Sequence, residues 1–111
     1  MATTLFQNAC ILTSTRRLER GWLLAGGGKI AAFGEGDAPA FEGAAIVDSA
    51  GCILLPGFID VHVHGALDHD SMDATPHAVR AMARFYARHG VTSFLVTTWT
   101  DTNTRIQSAL E

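Results

Sequence analysis

The stretch PGFIDVHVHG, residues 56–65, predicts a β-strand that carries polar chemistry on one face. Side chains alternate along a strand, so Asp60, His62 and His64 share one face and the apolar residues between them share the other. The apolar face consists of Ile59, Val61 and Val63. Parallel strands are usually covered on both faces, so we expect this aliphatic face to pack against helices. The opposite face then collects groups that can bind or orient a ligand.

The two histidines are spaced as a pair of metal ligands. Residues i and i+2 of a strand have Cα atoms about 6.7 Å apart, and their imidazoles can lean onto one ion at the ~2.0–2.1 Å Zn–N distance. Neutral imidazole suits divalent transition metals. The alternative is a histidine pair on a buried strand whose ring nitrogens form hydrogen bonds with main-chain groups or water. Three polar groups on one buried face make that alternative costly, so His62 and His64 are predicted to bind a metal. Asp60 is predicted to orient an imidazole N–H.

A helix is predicted over TPHAVRAMARFYARHG, residues 75–90. Thr75 suits the N-cap, Pro76 the first helical position and Gly90 the residue just past the end. Apolar residues recur at helical spacing and predict a core-facing stripe. The stripe consists of Ala78, Ala81, Met82 and Phe85.

The segments on either side of this helix complete an alternating pattern. VTSFLVTT, residues 91–98, predicts another strand, and TNTRIQSALE, residues 102–111, predicts a second helix. Strand, helix, strand and helix in succession predict a βαβ unit with parallel strands.

Residues 1–55 have a different character from residues 56–111, and the chain is expected to divide there into two domains. Short β-like runs separated by glycines predict an antiparallel sheet in the first part, with turns at residues 26–28 and 34–36. These runs are CILTS, GWLLAGG, KIAAFG and AAIVDS. The stretch GDAPAFEG, residues 36–43, is typical of a loop.

Composition argues against several kinds of partner. The 111 residues are 48% hydrophobic with a formal net charge of −3, which fits a globular domain and gives no basic surface for nucleic acid or membrane. The N-terminus lacks the pattern of a secretory signal. Cys10 and Cys52 form no CxxC motif, so we expect free thiols in a reducing, cytoplasmic compartment.

The PGFIDVHVHG stretch resembles the first barrel strand of the amidohydrolase superfamily, in which the HxH pair binds the catalytic metal. The preceding IVDSAGCILLPGFID resembles the passage from that family's small β-sandwich domain into its barrel. Gly65, the acidic loop LDHDSMDAT and HGVTSFLVTT are most similar to the N-acetylglucosamine-6-phosphate deacetylase family within the superfamily. The resemblance spans essentially the whole chain.

The resemblance implies an α/β fold: the N-terminal part of a (β/α)8 barrel, preceded by a small β-sandwich domain. Residues 1–55 would be the sandwich-like part and residues 56–111 the first β-α-β-α segment. A complete barrel takes about 250 residues, so the barrel would stop here after two strands. Active sites of such barrels lie at the carboxyl ends of the strands, where His62 and His64 stand.

The activity implied by the resemblance is metal-dependent hydrolysis of N-acetylglucosamine 6-phosphate to glucosamine 6-phosphate and acetate. A divalent metal, zinc in the first place and iron or another transition metal otherwise, would polarise the amide carbonyl and activate water. The family's proton-shuttling Asp matches no residue here and is expected beyond residue 111. The chain alone is therefore expected to be inactive, and the full-length protein is expected to form a homo-oligomer.

The loop after the first strand supplies two further candidates. Gly65 and His69 lie near the expected site and are candidates for contact with substrate. A solvated acidic loop is the simpler interpretation of the segment around His69, which also contains Asp68, Asp70 and Asp73.

Two other functions stay open. A cyclic-amide hydrolase of the dihydroorotase or hydantoinase kind would share the HxH strand but would act on a different substrate. The chain would otherwise be a non-catalytic remnant of such an enzyme.

Overall fold

A computed structural model describes residues 2–111, which divide between Pro56 and Gly57 into two compact units. The fold is mixed α/β with more strand than helix, and the described residues form no closed barrel. No helix among them is long and apolar enough to cross a membrane. The two-domain assignment, residues 1–55 and 56–111, stays a prediction.

The first unit contains one five-stranded sheet. Its strands are β1 Thr3–Leu12, β2 Arg17–Gly26, β3 Lys29–Glu35, β4 Ala45–Asp48 and β5 Ile53–Leu54. They are ordered β3-β2-β1-β4, and β5 also pairs with β1. The described residues of this unit form no second facing sheet, so the expected sandwich is not seen in this part of the chain.

The pairing in this sheet corrects the antiparallel arrangement that the sequence suggested. Strands β1, β2 and β3 are antiparallel neighbours, but β4 and β5 run parallel to β1. The long connection after β3 explains the difference, because it lets the chain cross to the far edge of β1 instead of turning back beside β3. Ala9, Ile11 and Leu18 form the buried core, with Leu23 and Leu54 packed against them.

The second unit begins with the strand that carries the histidines. Its elements are β6 Phe58–Val63, β7 Gly65–Ala66, β8 His69–Asp70, a 3-10 turn Ser71–Asp73, α1 Pro76–Arg88, β9 Val91–Val96 and α2 Asn103–Leu110. Strands β6 and β9 pair in parallel and are joined through α1, which confirms the predicted βαβ unit. Strands β7 and β8 form a short antiparallel hairpin.

The predicted bounds of α1 are confirmed by its caps. The Thr75 hydroxyl accepts a hydrogen bond from the Ala78 main-chain N–H at 3.2 Å, and Pro76 stands in the first turn. Gly90 follows the last turn with a φ of 82°, a left-handed conformation that glycine adopts at little cost. Ala78 and Met82 are buried, so the predicted stripe faces the interior.

The aliphatic face of β6 does not pack as expected. Ile59 and Val61 are 70% and 67% exposed, and of this face only Val63 is buried. Helix α1 covers the other face, because Tyr86 packs against Phe94 and Phe94 is paired in register with Asp60. The helix therefore lies on the side of the sheet opposite to Ile59 and Val61.

Candidate metal centre

His62 and His64 lie at the carboxyl end of β6, in an open cleft of about 570 Å³. The cleft is built within the second unit by the end of β6, the β7–β8 hairpin, α1 and the segment after β9. Its lining consists of Asp60, His62, Val63, His64, Gly65, Ala66, Leu67, Asp68, His69, Asp70, Tyr86 and Trp99. The structure thus brings all five candidate site residues of the sequence, Asp60, His62, His64, Gly65 and His69, to one cleft.

The histidine rings are arranged as a pair that fits one ion. Their Nε2 atoms are 3.1 Å apart, and the ring centroids are 4.9 Å apart at 80°. Two nitrogens bound at ~2.0–2.1 Å in tetrahedral geometry would be roughly 3.4 Å apart, so the observed separation fits a shared ion closely. In the metal-free pair one ring can donate its Nε2–H to the Nε2 lone pair of the other, and a bound cation would take the place of that proton between the two nitrogens.

The His64 ring is fixed through its other nitrogen. Its Nδ1 lies 3.0 Å from the carbonyl oxygen of Thr97, just after β9. A carbonyl only accepts, so Nδ1 carries the proton and Nε2 is left with its lone pair toward His62. Metal-binding histidines commonly donate their second N–H in this way.

Asp60 contacts the main chain of the histidine segment. Its Oδ1 accepts a hydrogen bond from the His62 main-chain N–H at 3.1 Å. The His64 ring is oriented by the Thr97 carbonyl, whereas the sequence suggested Asp60 for this role. Asp60 therefore fixes the backbone of the strand in this structure, and a contact from its carboxylate to an imidazole stays a prediction.

Gly65 has a structural role at the entry to the hairpin. A Cβ atom at this position would collide with the carbonyl oxygen of His69, so the two strands of the hairpin approach closely only because residue 65 is glycine. Tyr86 donates from its hydroxyl to the Gly65 carbonyl at 2.8 Å. The hairpin turn has Leu67 and Asp68 at φ of 54° and 60°, a conformation usually taken by Gly or Asn.

His69 is half-buried on the cleft wall. Its Nδ1 lies 3.7 Å from Asp73 Oδ2, and its ring meets that of His77 edge to face at 5.1 Å between centroids. Contact of His69 or Gly65 with substrate stays a prediction.

Trp99 and Asp70 are functional candidates that sequence reasoning missed. The Trp99 ring stacks on the His64 ring at 4.0 Å and 20°, and its indole N–H donates to Asp70 Oδ2 at 2.6 Å. Burial acts to raise the pKa of the Asp70 carboxyl, but hydrogen bonds, chiefly from the Met72 N–H and the Trp99 indole, outweigh it and hold that pKa below its ordinary value. Because β6 and β9 are parallel, their carboxyl ends lie at the same edge of the sheet, and the residues that directly follow the two strands are near each other. This topology is the signal that could have indicated the contact of Trp99 with His64.

Within residues 2–111, no group of three or more His, Cys, Asp or Glu side chains is gathered closely enough to hold a metal. The two histidines thus provide half of a tetrahedral site.

A family model describes the segment that contains the histidine strand. The amidohydrolase family model matches residues 53–111, more than half of the chain. The chain belongs to the amidohydrolase family. Amidohydrolases generally depend on divalent metals, which agrees with the histidine pair.

Two relatives of this amidohydrolase chain carry the same name. The N-acetylglucosamine-6-phosphate deacetylase of Vibrio furnissii is 47% identical over 57 residues, covering 51% of this chain and 14% of the relative. The enzyme of the same name from Bacillus subtilis (strain 168) is 32% identical over 106 residues, covering 96% of this chain and 27% of the relative. The chain thus spans well under a third of the length of these relatives.

Solved structures also resemble this amidohydrolase chain. The N-acetylglucosamine-6-phosphate deacetylase from Pasteurella multocida gives a TM-score of 0.86 at 28% identity, over 97% of this chain and 28% of that one. A D-hydantoinase gives a TM-score of 0.60 at 25% identity, over 96% of this chain and 23% of that one. The backbone follows the deacetylase more closely than the hydantoinase.

Proposed function

We propose that the protein is a metal-dependent amidohydrolase that removes the acetyl group of N-acetylglucosamine 6-phosphate, giving glucosamine 6-phosphate and acetate. The observation that carries this proposal is the His62–His64 pair, with Nε2 atoms 3.1 Å apart in an open cleft. The names of the relatives support the substrate, and the backbone similarity to a deacetylase supports the fold.

The metal is proposed to be zinc, held by the Nε2 atoms of His62 and His64. Imidazole nitrogen suits zinc, and it also accepts iron or another transition metal. When bound, such a cation supplies a Lewis acid that polarises the amide carbonyl and lowers the pKa of water.

The other residues of the cleft hold this pair and border the substrate. The Thr97 carbonyl keeps the Nδ1 proton of His64, and Asp60 holds the main chain of His62. His69 and Gly65 are proposed to lie beside the bound substrate. The proton-shuttling Asp implied by the family matches no residue of this chain, so we assign it to chain outside these residues.

The larger architecture belongs to the same proposal. The β6-α1-β9-α2 segment would be the first two βα units of a (β/α)8 barrel, and the sheet of the first unit would be part of the small β-domain before it. We also propose a homo-oligomer in the reducing cytoplasm, without nucleic acid or membrane as partners. The free thiols of Cys10 and Cys52 support the reducing compartment.

The test replaces the matching segment of the Bacillus subtilis relative with this chain and measures bound metal and acetate release together. Changing both His62 and His64 to Ala is expected to remove metal and to lower activity by roughly 10²-fold or more, because a catalytic metal supplies several kcal/mol. His89→Ala is the matched control, since His89 is exposed at the end of α1 and far in sequence from the pair. Unchanged metal content in the double variant would contradict the proposal.

The D-hydantoinase similarity supports a cyclic-amide hydrolase as the second candidate. The same chimaera is therefore assayed on a hydantoin and on dihydroorotate. Hydrolysis of either ring, with no acetate released from the acetamido sugar, would favour this second candidate.

A further inference from the structure

We propose that Trp99, tethered by Asp70, is a positioning residue that fixes the imidazole of His64 for metal binding. This inference rests on the proposed role of His64 as a metal ligand, and it assigns to two further residues the task of holding that ligand still.

The stack between the two rings restricts how His64 can turn. At 4.0 Å between centroids and 20° between planes, the indole covers one face of the imidazole. Partial rotation of the imidazole about its Cβ–Cγ bond would drive its edge into the indole, so the stack holds the ring in the observed plane.

Trp99 needs a tether to act in this way, because its side chain is 51% exposed and burial does not fix it. Asp70 supplies the tether through the 2.6 Å hydrogen bond from the indole N–H to Oδ2. Asp70 is itself fixed, since Oδ1 accepts from the Met72 N–H at 2.8 Å and caps the 3-10 turn. The indole is thus tied to a rigid turn rather than to a mobile side chain.

The same turn also holds the main chain of His64. The Ser71 N–H donates to the His64 carbonyl at 2.7 Å, and the Ser71 hydroxyl donates to the Thr97 carbonyl at 2.7 Å. That carbonyl is the acceptor of the His64 Nδ1 proton. Ring plane, tautomer and backbone of His64 are therefore all set by the turn and by the segment after β9.

His62 is held differently. Across residues 2–111 its ring makes one polar contact, with the His64 ring, and the residue is exposed. The Trp99–Asp70 pair thus acts on one of the two ligands, and His64 is the prearranged one. The expected result is a His64 ring ordered before metal arrives.

The experiment observes the histidine rings of the 111-residue chain by nitrogen-15 NMR, first without metal and then during titration with Zn²⁺. The variants are Trp99→Ala, Trp99→Phe, Asp70→Ala and Asp70→Asn. Phe keeps a stacking ring without the indole N–H, and Asn keeps one acceptor oxygen where the Asp70 carboxylate uses two. Trp22→Phe is the matched control, because Trp22 packs on Phe41 in the first unit at 5.4 Å between centroids.

Without metal, wild-type His64 is expected in the single Nδ1–H tautomer, with its C–H resonances shifted upfield by the indole. Trp99→Ala should abolish that shift, mix the tautomers and weaken Zn²⁺ binding about 10-fold, as loss of ligand-orienting contacts does. Trp99→Phe, Asp70→Ala and Asp70→Asn should each give an intermediate loss of Zn²⁺ affinity, and Trp22→Phe should stay near wild type.

A wild-type tautomer and unchanged Zn²⁺ affinity in Trp99→Ala would overturn the positioning role, as would an equal loss in Trp22→Phe. His62→Ala tests the proposed function separately. Wild-type Zn²⁺ affinity in that variant would contradict the metal pair, and the metal-free resonances of His64 would still decide whether Trp99 positions the ring.

Discussion

Tyr86 links helix α1 to the hairpin beside the histidine pair. Its hydroxyl donates to the Gly65 carbonyl at 2.8 Å, and its ring packs on Phe94 at 5.1 Å between centroids. Burial raises the pKa of the phenol above its usual value, and the negative charge of Asp60 raises it further. Because the chain contains one tyrosine, its phenolate absorbance reports on this contact alone.

The raised pKa predicts a loss of stability at high pH. The folded-state value lies above the unfolded value of about 10, so the contribution of protonated Tyr86 is complete below pH ~10 and is lost as pH rises through the folded-state pKa. Spectrophotometric titration should give a midpoint above 10 in the folded chain and near 10 in urea. Tyr86→Phe should flatten the pH dependence of the unfolding free energy above pH ~10. Equal midpoints in the two states would refute this prediction.

Single residues differed in how far the sequence could predict them. His62 and His64 are neighbours along one strand, so alternation alone put them on a common face. Trp99 reaches them only through the pairing of β6 with β9, and its partner Asp70 lies 29 residues away along the chain. No local pattern signals such a contact, because it depends on where two strands end rather than on periodicity.

At the scale of elements, the start of α1 depends on one hydroxyl. Thr75→Ala removes the acceptor for the Ala78 N–H and should lower the free energy of unfolding by about 1 kcal/mol. Thr75→Ser keeps a hydroxyl acceptor, so its free energy of unfolding should stay close to that of the wild type. Urea denaturation measures both. Thr102→Ala is the matched control at the start of α2, which has no buried residues and should contribute less. A loss in Thr102→Ala that equals or exceeds the loss in Thr75→Ala would contradict this assignment.

The strands were less predictable than the helix, and β1 shows why. The sequence predicted a strand from Cys10, whereas β1 begins at Thr3. Its register shifts between Phe6 and Ala9, where Asn8 adopts a φ of 63°. A bulge of this kind breaks the alternation that identifies a strand. The caps of α1, by contrast, lie within a few residues of what they cap.

At the scale of the whole chain, the second unit exposes an aliphatic sheet face. Ile59, Val61 and Leu95 are 70%, 67% and 61% exposed and lie on neighbouring strands. Contiguous apolar surface of this kind promotes association, so the 111-residue chain should self-associate with rising concentration.

Sedimentation velocity at increasing concentration tests this prediction. A variant that combines Val61→Thr with Leu95→Thr should associate more weakly, because Thr is compatible with a strand but is less apolar than Val or Leu. Leu110→Thr, at an exposed position on α2, should leave it unchanged. A wild-type chain that stays monomeric at all concentrations would contradict the prediction.

The hydrogen bond between His64 and Thr97 joins residues 33 positions apart, so His64 is synthesised before the carbonyl group that orients its ring. Closing a loop of that length costs about 3 kcal/mol of chain entropy, and α1 between them can form on its own first. During synthesis at about 5–20 residues per second, roughly 2–7 s pass between addition of the imidazole and addition of the carbonyl that holds it. A nascent chain therefore carries two unfixed histidines for seconds, and their arrangement as a pair is completed only after β9 has joined β6.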